Sequence, residues 1–222
     1  MKDNIVISKA TIDRLPLYFR TLKQAEGEGI TIISSEELGR RLGITPEQIR
    51  KDFASFGDFG KKGVGYFVKE LLRNVGEILG LHRNWNIAIV GVGHLGWALA
   101  NYINFEGLGC NLRAIFDISP DIVGRSIKGI VIDHFDHLEA ITAERNIHIG
   151  VITVPNNRAQ AVADRLTAAG IKGIWNFATV KVRVPEGTCL VNEDLSTGLS
   201  SVSYYLARQV PEDKHDNFPI FG

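Results

Sequence analysis

This chain of 222 residues has only two cysteines, Cys110 and Cys189, and they lack metal-ligand spacing. That scarcity excludes a disulfide framework and a cysteine-held zinc site. A reduced, cytoplasmic setting is expected, with both thiols buried and inert. No apolar run approaches the roughly 20 residues of a membrane span. The opening stretch MKDNIVISKATIDRLP has no signal-peptide core. Net charge is missing as well: 25 Lys and Arg balance 25 Asp and Glu. A global field for steering anions is thereby excluded, and anion binding must come from local placement. Residues 1–80 hold 13 basic and 11 acidic residues, and residues 81–222 hold 12 and 14, so the asymmetry is small. There is no internal repeat and no low-complexity segment. What remains is ordinary globular composition, 45% hydrophobic and 23% charged, enough for one or two domains.

The first half has helical spacing. Ile12, Leu15, Phe19 and Leu22 form one apolar stripe, which Pro16 should bend or restart. Ser34 with Glu37, and Thr45 with Gln48 after Pro46, are two capping-box patterns, and Gly43 is a helix stop between them. Two short helices joined by Gly43-Ile44-Thr45 match helix-turn-helix. The stretch GDFGKKGVGY is too rich in glycine for helix and suits a tight hairpin tipped by Lys61 and Lys62. Helix returns with Val68, Leu71, Leu72, Val75, Ile78 and Leu79 on one side. Three helices, a hairpin and a fourth helix make a winged-helix module.

The second half alternates. Strand-like NIAIV, LRAIFD, IHIGVITV and IKGIWNF are separated by helical patterns, which signals a doubly wound α/β unit with a parallel sheet. The change falls at GLHRNWN, residues 80–86, read as the linker. Within IAIVGVGHLGW, Gly91, Gly93 and Gly96 follow a strand and open a helix. Gly91 suits the tight turn, Gly93 the close approach of a pyrophosphate, and Gly96 helix-on-strand packing. The surrounding Val92, His94 and Leu95 belong to the same cradle, whose helix N-terminus attracts phosphate. Asp117 ends the next strand, where a carboxylate binds both ribose hydroxyls of NAD and repels the 2′-phosphate of NADP. Thr153, Val154 and Pro155, and Phe177, end further strands and are position-based contacts. The residues alone leave open a doubly wound domain whose glycines only shape a turn.

No catalytic base stands out among the histidines. Asp133, His134, Asp136 and His137 could suggest a metal site, yet read more simply as a solvated turn and cap, and no metal is expected. His94 is placed to meet phosphate or solvent. After Phe177 only 45 residues remain, too few for a substrate domain. The chain is therefore read as a non-enzyme. The alternatives are a small NAD-dependent oxidoreductase and a scaffold that binds CoA or a nucleotide. If Pro46–Phe56 is a recognition helix, Gln48, Arg50, Lys51 and Ser55 lie on its exposed face, with Ile49 and Phe53 anchoring it. Arg and Lys can reach guanine and Gln can reach adenine. Lys61 and Lys62 suit phosphates or a minor groove, and Arg40 and Arg41 can add backbone contacts. A second copy would allow a palindrome to be read. The apolar stripe Leu195, Leu199, Val202, Leu206 and Val210 could pair two copies or fold back on its own sheet.

Together these pieces resemble the bacterial redox-sensing transcriptional repressors, the Rex family, over nearly the whole chain. The resemblance rests on SKATIDRLPLYFRTL, SSEELGRRLGITPEQIRKDFASFGDFGKKGVGY, VGVGHLGWALANY, IFDISPDIVGRSIKG, TVPNNRAQAVADRLTAAGIKGIWNFA and NEDLSTGLS. It implies a winged-helix DNA-binding domain over residues 1–80 and a Rossmann-like NAD(H) domain over 81–193. A C-terminal helix in 194–222 is then swapped into the partner of a homodimer. It further implies a palindromic DNA operator that is released when NADH binds and NAD+ competes for the pocket. Three switch positions follow by match to the family: Arg20 pairs with Asp194, and Tyr102 competes for that aspartate.

Overall fold

A computed structural model of the chain describes residues 7–57, 59–61, 63–102 and 105–209, the side chains of Tyr102 and Glu106 excepted. The chain divides into two units between Asn84 and Trp85. A short turn at Leu81–Arg83, flanked by Gly80 and Asn84 in left-handed conformation, leads to the division. Trp85 and Asn86, read above as linker, already belong to a strand.

The first unit runs α1 (Lys9–Gly27), β1 (Ile32–Ile33), α2 (Ser35–Leu42), α3 (Pro46–Ala54), β2 (Tyr66–Phe67) and α4 (Val68–Ile78). Pro16 neither breaks nor restarts α1. It is exposed, on the side where water can take the carbonyl that a proline leaves unpaired. The buried stripe of α1 is Leu15, Tyr18, Leu22 and Ala25, while Ile12 is exposed, so the helix is rotated from the expected face. Tyr18 goes inside because its hydroxyl finds an acceptor there, described below.

Both predicted caps form on their first half. The Ser34 hydroxyl accepts from the N–H of Glu37, and the Thr45 hydroxyl from that of Gln48. The reciprocal halves are replaced: Glu37 pairs with Arg40 and Arg41, and Gln48 turns to Asp52. Gly43 caps α2 with φ of 67°, a conformation that favours glycine. Among the described residues the expected hairpin is marked by a bridge between Lys61 and Gly65. β2 pairs instead with β1, which the sequence pattern did not reveal. Phe53 centres the core, with ring centroids 5.0 Å from Tyr18 and 5.2 Å from Tyr66.

The second unit runs β3 (Trp85–Val90), α5 (His94–Tyr102), β4 (Cys110–Asp117), β5 (Ser126–Ile127), β6 (Ile130–His134), α6 (Leu138–Glu144), β7 (Ile149–Ile152), α7 (Asn156–Ala168), β8 (Gly173–Asn176), β9 (Cys189–Asn192) and α8 (Ser196–Gln209). The sheet order is β5-β6-β4-β3-β7-β8-β9, parallel except for edge strand β5. Without β5 this is the doubly wound order of a dinucleotide-binding fold, whose direction reverses between β3 and β7. The strands are apolar on both faces. Ala88, Val90, Phe116 and Ile152 enter one packed layer, and Ile87, Ile89, Ile115 and Val151 the other. The side chains of α8 are all exposed. No helix among the described residues is long and apolar enough to cross a membrane.

Candidate functional sites

At the reversal point a cleft of about 650 Å³ opens beyond the ends of β3, β4 and β7. Gly91 turns the chain out of β3 with φ of 96°, and a side chain there would strike Val154 and the Thr153 carbonyl. A side chain on Gly96 would collide with the Gly91 carbonyl and come within 2.9 Å of Thr153 Oγ1. Gly93, by contrast, meets nothing within 4 Å. Two glycines thus shape the turn, and the third keeps one wall bare for a ligand. Gly93, His94 and Leu95 border the cleft at the start of α5, where helix N–H groups have no helical partner. The cradle fits a dinucleotide pyrophosphate.

Asp117 lines the same cleft. Its carboxylate accepts from the N–H groups of Val92 (2.6 Å), Ile118 (2.7 Å) and Ser119 (2.8 Å). Three of about four acceptor positions on a carboxylate are thereby used. One ribose hydroxyl can still be accommodated, where the sequence suggested two. Asp117 also staples the glycine turn to the end of β4. Thr153 has a similar supporting part, its hydroxyl 2.7 Å from the Gly91 carbonyl and 3.0 Å from that of Val90. Val154 and Pro155 line the cleft beside it.

Phe177 does not line this cleft. It packs 4.5 Å from Trp175, in the apolar layer of Ile87 and Ile89. The position rule that selected it names strand ends without saying which face they serve. Ile118, Phe135, Arg158, Ala161 and Val162 line the cleft and were not foreseen. Ile118 and Phe135 follow strand ends, so extending the rule to β6 would have found Phe135. The other three sit on α7, and their direction comes from how that helix lies on the sheet. The Arg165 guanidinium rests 4.4 Å from the Phe135 ring centroid and is held by both oxygens of Glu139.

In the first unit the exposed residues of α3 are Glu47, Arg50, Lys51 and Ala54. Gln48 and Ser55 are half-buried, and their polar groups are engaged locally. The Gln48 amide donates to Asp52 (2.8 Å), and the Ser55 hydroxyl to the Lys51 carbonyl (3.1 Å). Arg50 donates to Ser35 Oγ (2.6 Å), Glu36 (3.1 Å) and Glu47 (2.7 Å). Lys51 is exposed and makes no ion pair among the described residues. A groove of about 540 Å³ separates α3 from the glycine-rich loop, with Ser35, Arg50, Lys61 and Tyr66 in its walls. The Lys61 ammonium lies 5.5 Å from the Phe67 ring centroid. Lys62 lies outside the described residues. Arg40 pairs with Glu37, and Arg41 with Glu28 and Glu37, so both basic neighbours are already matched by acids.

Behind this face lies Asp52, 1% exposed, which helical spacing alone does not single out. Arg14 donates to both of its oxygens (2.6 and 2.8 Å), with Tyr18 (2.7 Å), Thr11 (3.2 Å) and Gln48 adding to them. Burial pushes this carboxyl upward, yet the bonds from Arg14, Tyr18 and Gln48 win and bring it down to about 2. Burial and the neighbouring carboxylate raise the Tyr18 hydroxyl well above its ordinary value. The cluster ties α3 to α1.

Arg20 is exposed on α1, in the first unit, and Asp194 is exposed in the second. The Asp194 carboxylate accepts from Ser196 N–H (2.9 Å) and hydroxyl (2.6 Å), which holds it below its ordinary value and caps α8. The side chain of Tyr102, and Val210 with it, lie outside the described residues. Leu195 is exposed. Asp133 and His134 end β6, Phe135–His137 forms a turn capped by the His134 ring, and no cluster of three or more His, Cys, Asp or Glu that could hold a metal occurs among the described residues. Cys110 is half-buried, its thiol raised by burial. Cys189 is exposed on β9, so the expectation of two buried thiols fails there.

Comparison with known proteins bears on both units. The family model described as "Putative DNA-binding protein N-terminus" matches residues 6–54, and that described as "CoA binding domain" matches residues 82–180. The redox-sensing transcriptional repressor Rex of Syntrophobacter fumaroxidans is 47% identical, over 90% of this chain and 96% of its own length. That of Clostridium tetani is also 47% identical, over 91% and 96%. Among solved structures, RSP in complex with β-NAD+ and operator DNA superposes with a TM-score of 0.86 at 43% identity, over 92% of this chain and 94% of that one. RSP in complex with β-NADH gives 0.85 at 42% identity, over 92% and 96%.

Proposed function

This chain belongs to the Rex family of redox-sensing transcriptional repressors, and from that membership we propose that it is a homodimer that grips a palindromic operator until NADH enters the cleft of its second unit. The observation that carries this reading is the cradle: Gly93 left bare, Asp117 at its edge, and about 650 Å³ beyond. In the same chain a winged-helix unit presents Lys51 and Lys61. The coenzyme is bound and released unchanged. The relatives that match are named as repressors, and we read the chain as a non-enzyme acting in the cytoplasm.

Gly91, Gly93, Gly96 and the start of α5 would hold the pyrophosphate, with Asp117 taking a ribose hydroxyl. Ile118, Phe135, Val154 and Val162 give the cleft an apolar wall. When bound, the nicotinamide supplies the signal, since its ring is positively charged when oxidised and neutral when reduced. An unpaired charge is costly to bury in apolar surroundings, so such a pocket favours NADH. A ligand that binds both shapes of the dimer equally shifts nothing. Moving the population from 1:99 to 99:1 needs about 10⁴-fold differential affinity, roughly 5.5 kcal/mol, which two coenzymes on one dimer would share. In this reading Asp194 exchanges partners between Arg20 and Tyr102 as the redox state changes.

The test is a mobility shift on a palindromic duplex. NADH should release the chain, NAD+ should oppose that release, and NADPH should act poorly because its 2′-phosphate meets Asp117. The match to a CoA-binding model supports a second reading, a CoA-responsive scaffold. Release by CoA, or indifference to DNA with tight CoA binding, would favour it.

A further inference from the structure

Arg50 is the most constrained cation on the face that the proposed function assigns to DNA. Its guanidinium is shared among Ser35 and Glu36 on α2 and Glu47 one turn back on α3. Both acids are themselves exposed on that face, with side chains 67% and 76% accessible. Surface ion pairs of this kind stabilise a fold by little. Three partners nevertheless fix the direction of a side chain that otherwise carries many rotamers. They also place two negative charges where phosphates would approach, which disfavours a loosely docked duplex.

We propose that Glu36 and Glu47 are specificity-determining residues: they hold Arg50 away from backbone phosphates and aim it, so that non-specific DNA is penalised more than the operator. On random sequence, Arg50 gains only a phosphate, which it must leave its acids to reach. On the operator, a guanidinium held in place loses less freedom when it meets a base edge or an ordered contact of fixed geometry. Freed from its acids, the same side chain would turn to any phosphate nearby. This role for Glu36 and Glu47 rests on the first unit being the DNA-binding module proposed above.

The experiment measures, for the full-length chain, affinity for the operator and for a random duplex of equal length over a range of salt. The variants are Glu36→Gln, Glu47→Gln and the double substitution. Glu70→Gln is the control for each single variant, and Glu70→Gln with Glu77→Gln, two exposed acids on α4, is the control of equal charge change for the double. Relative to that control, the double variant should bind random DNA about three- to tenfold more tightly, with a salt slope steeper by about 1.8, one newly engaged phosphate for each protomer of the proposed dimer. Operator affinity should rise less or fall, so the specificity ratio drops. An unchanged or increased ratio would overturn the restraint, because added positive charge alone strengthens both duplexes alike. A parent chain that ignores the operator would overturn the DNA-binding reading and this inference together. A parent that binds, with variants that keep the ratio, overturns only the inference.

Discussion

The carboxylate of Asp117 accepts three backbone N–H bonds before any ribose arrives, so its first task is to hold the turn at Val92 against β4. Asp117→Asn would point an amide N–H₂ at one of those donors, leaving a polar group near the cleft unmatched at a cost of about 1–3 kcal/mol. We expect NADH and NAD+ to weaken together by about tenfold or more, read by coenzyme fluorescence for one and competition for the other. Unchanged affinity for both would contradict the stapling role. The residue was legible in the sequence because it ends a strand 21 residues beyond Gly96. Its backbone partners were not, since they depend on how the loops after β3 and β4 fold over one another. Arg50 repeats the lesson: its exposed position follows from helical spacing, but Ser35 and Glu36 lie 15 and 14 residues away in sequence.

Among the elements, α1 and α3 are joined by the Asp52 cluster, and their pairing is the least legible feature of the first unit. Helical spacing correctly marked Leu15, Leu22, Ile49 and Phe53 as inward. It gave no warning that Asp52 and Tyr18 go inward with them, because burying a carboxylate is costly until Arg14 reaches it. Removing one partner of a buried pair typically costs about 3–5 kcal/mol. Asp52→Asn keeps the shape and should therefore lower the stability of the first unit by about 3 kcal/mol in thermal unfolding. The transition of the second unit should stay in place; a shift in both, or in neither, would contradict the assignment.

The pH dependence has a definite sign. The folded pKa of Asp52, about 2, lies below the ordinary 3.8. Its contribution is complete above pH 4 and is lost as acid carries the chain through pH 2, a change of roughly 2–3 kcal/mol. Acid titration of Asp52→Asn should lack that component. In the second unit, alternating strands and helices announced the parallel sheet. β5, β6 and β9 escaped notice because they are short or sit next to turn residues.

At the level of the whole molecule, α8 is the anomaly: an ordered helix with Leu199 71% exposed and Leu206 and Tyr205 beside it in the open. Apolar area of this kind marks an interaction surface. A second copy of the chain is the occupant that the proposed dimer supplies. Leu199→Glu should give a monomer by sedimentation and cost at least tenfold in operator affinity, since one module reads only one half-site. A variant that stays dimeric would move the interface elsewhere. The sequence stripe Leu195, Leu199, Val202 and Leu206 made this helix visible but left its partner open, because apolar spacing specifies that a face is buried and not by whom.

In the proposed function coenzyme and DNA compete through two shapes of one protein, and linkage makes that competition reciprocal. The decisive measurement is the affinity for NADH with and without saturating operator DNA. The operator should weaken NADH binding at the two sites of the dimer by factors whose product equals the factor by which saturating NADH weakens the grip on the operator. An NADH affinity indifferent to bound operator would contradict the account.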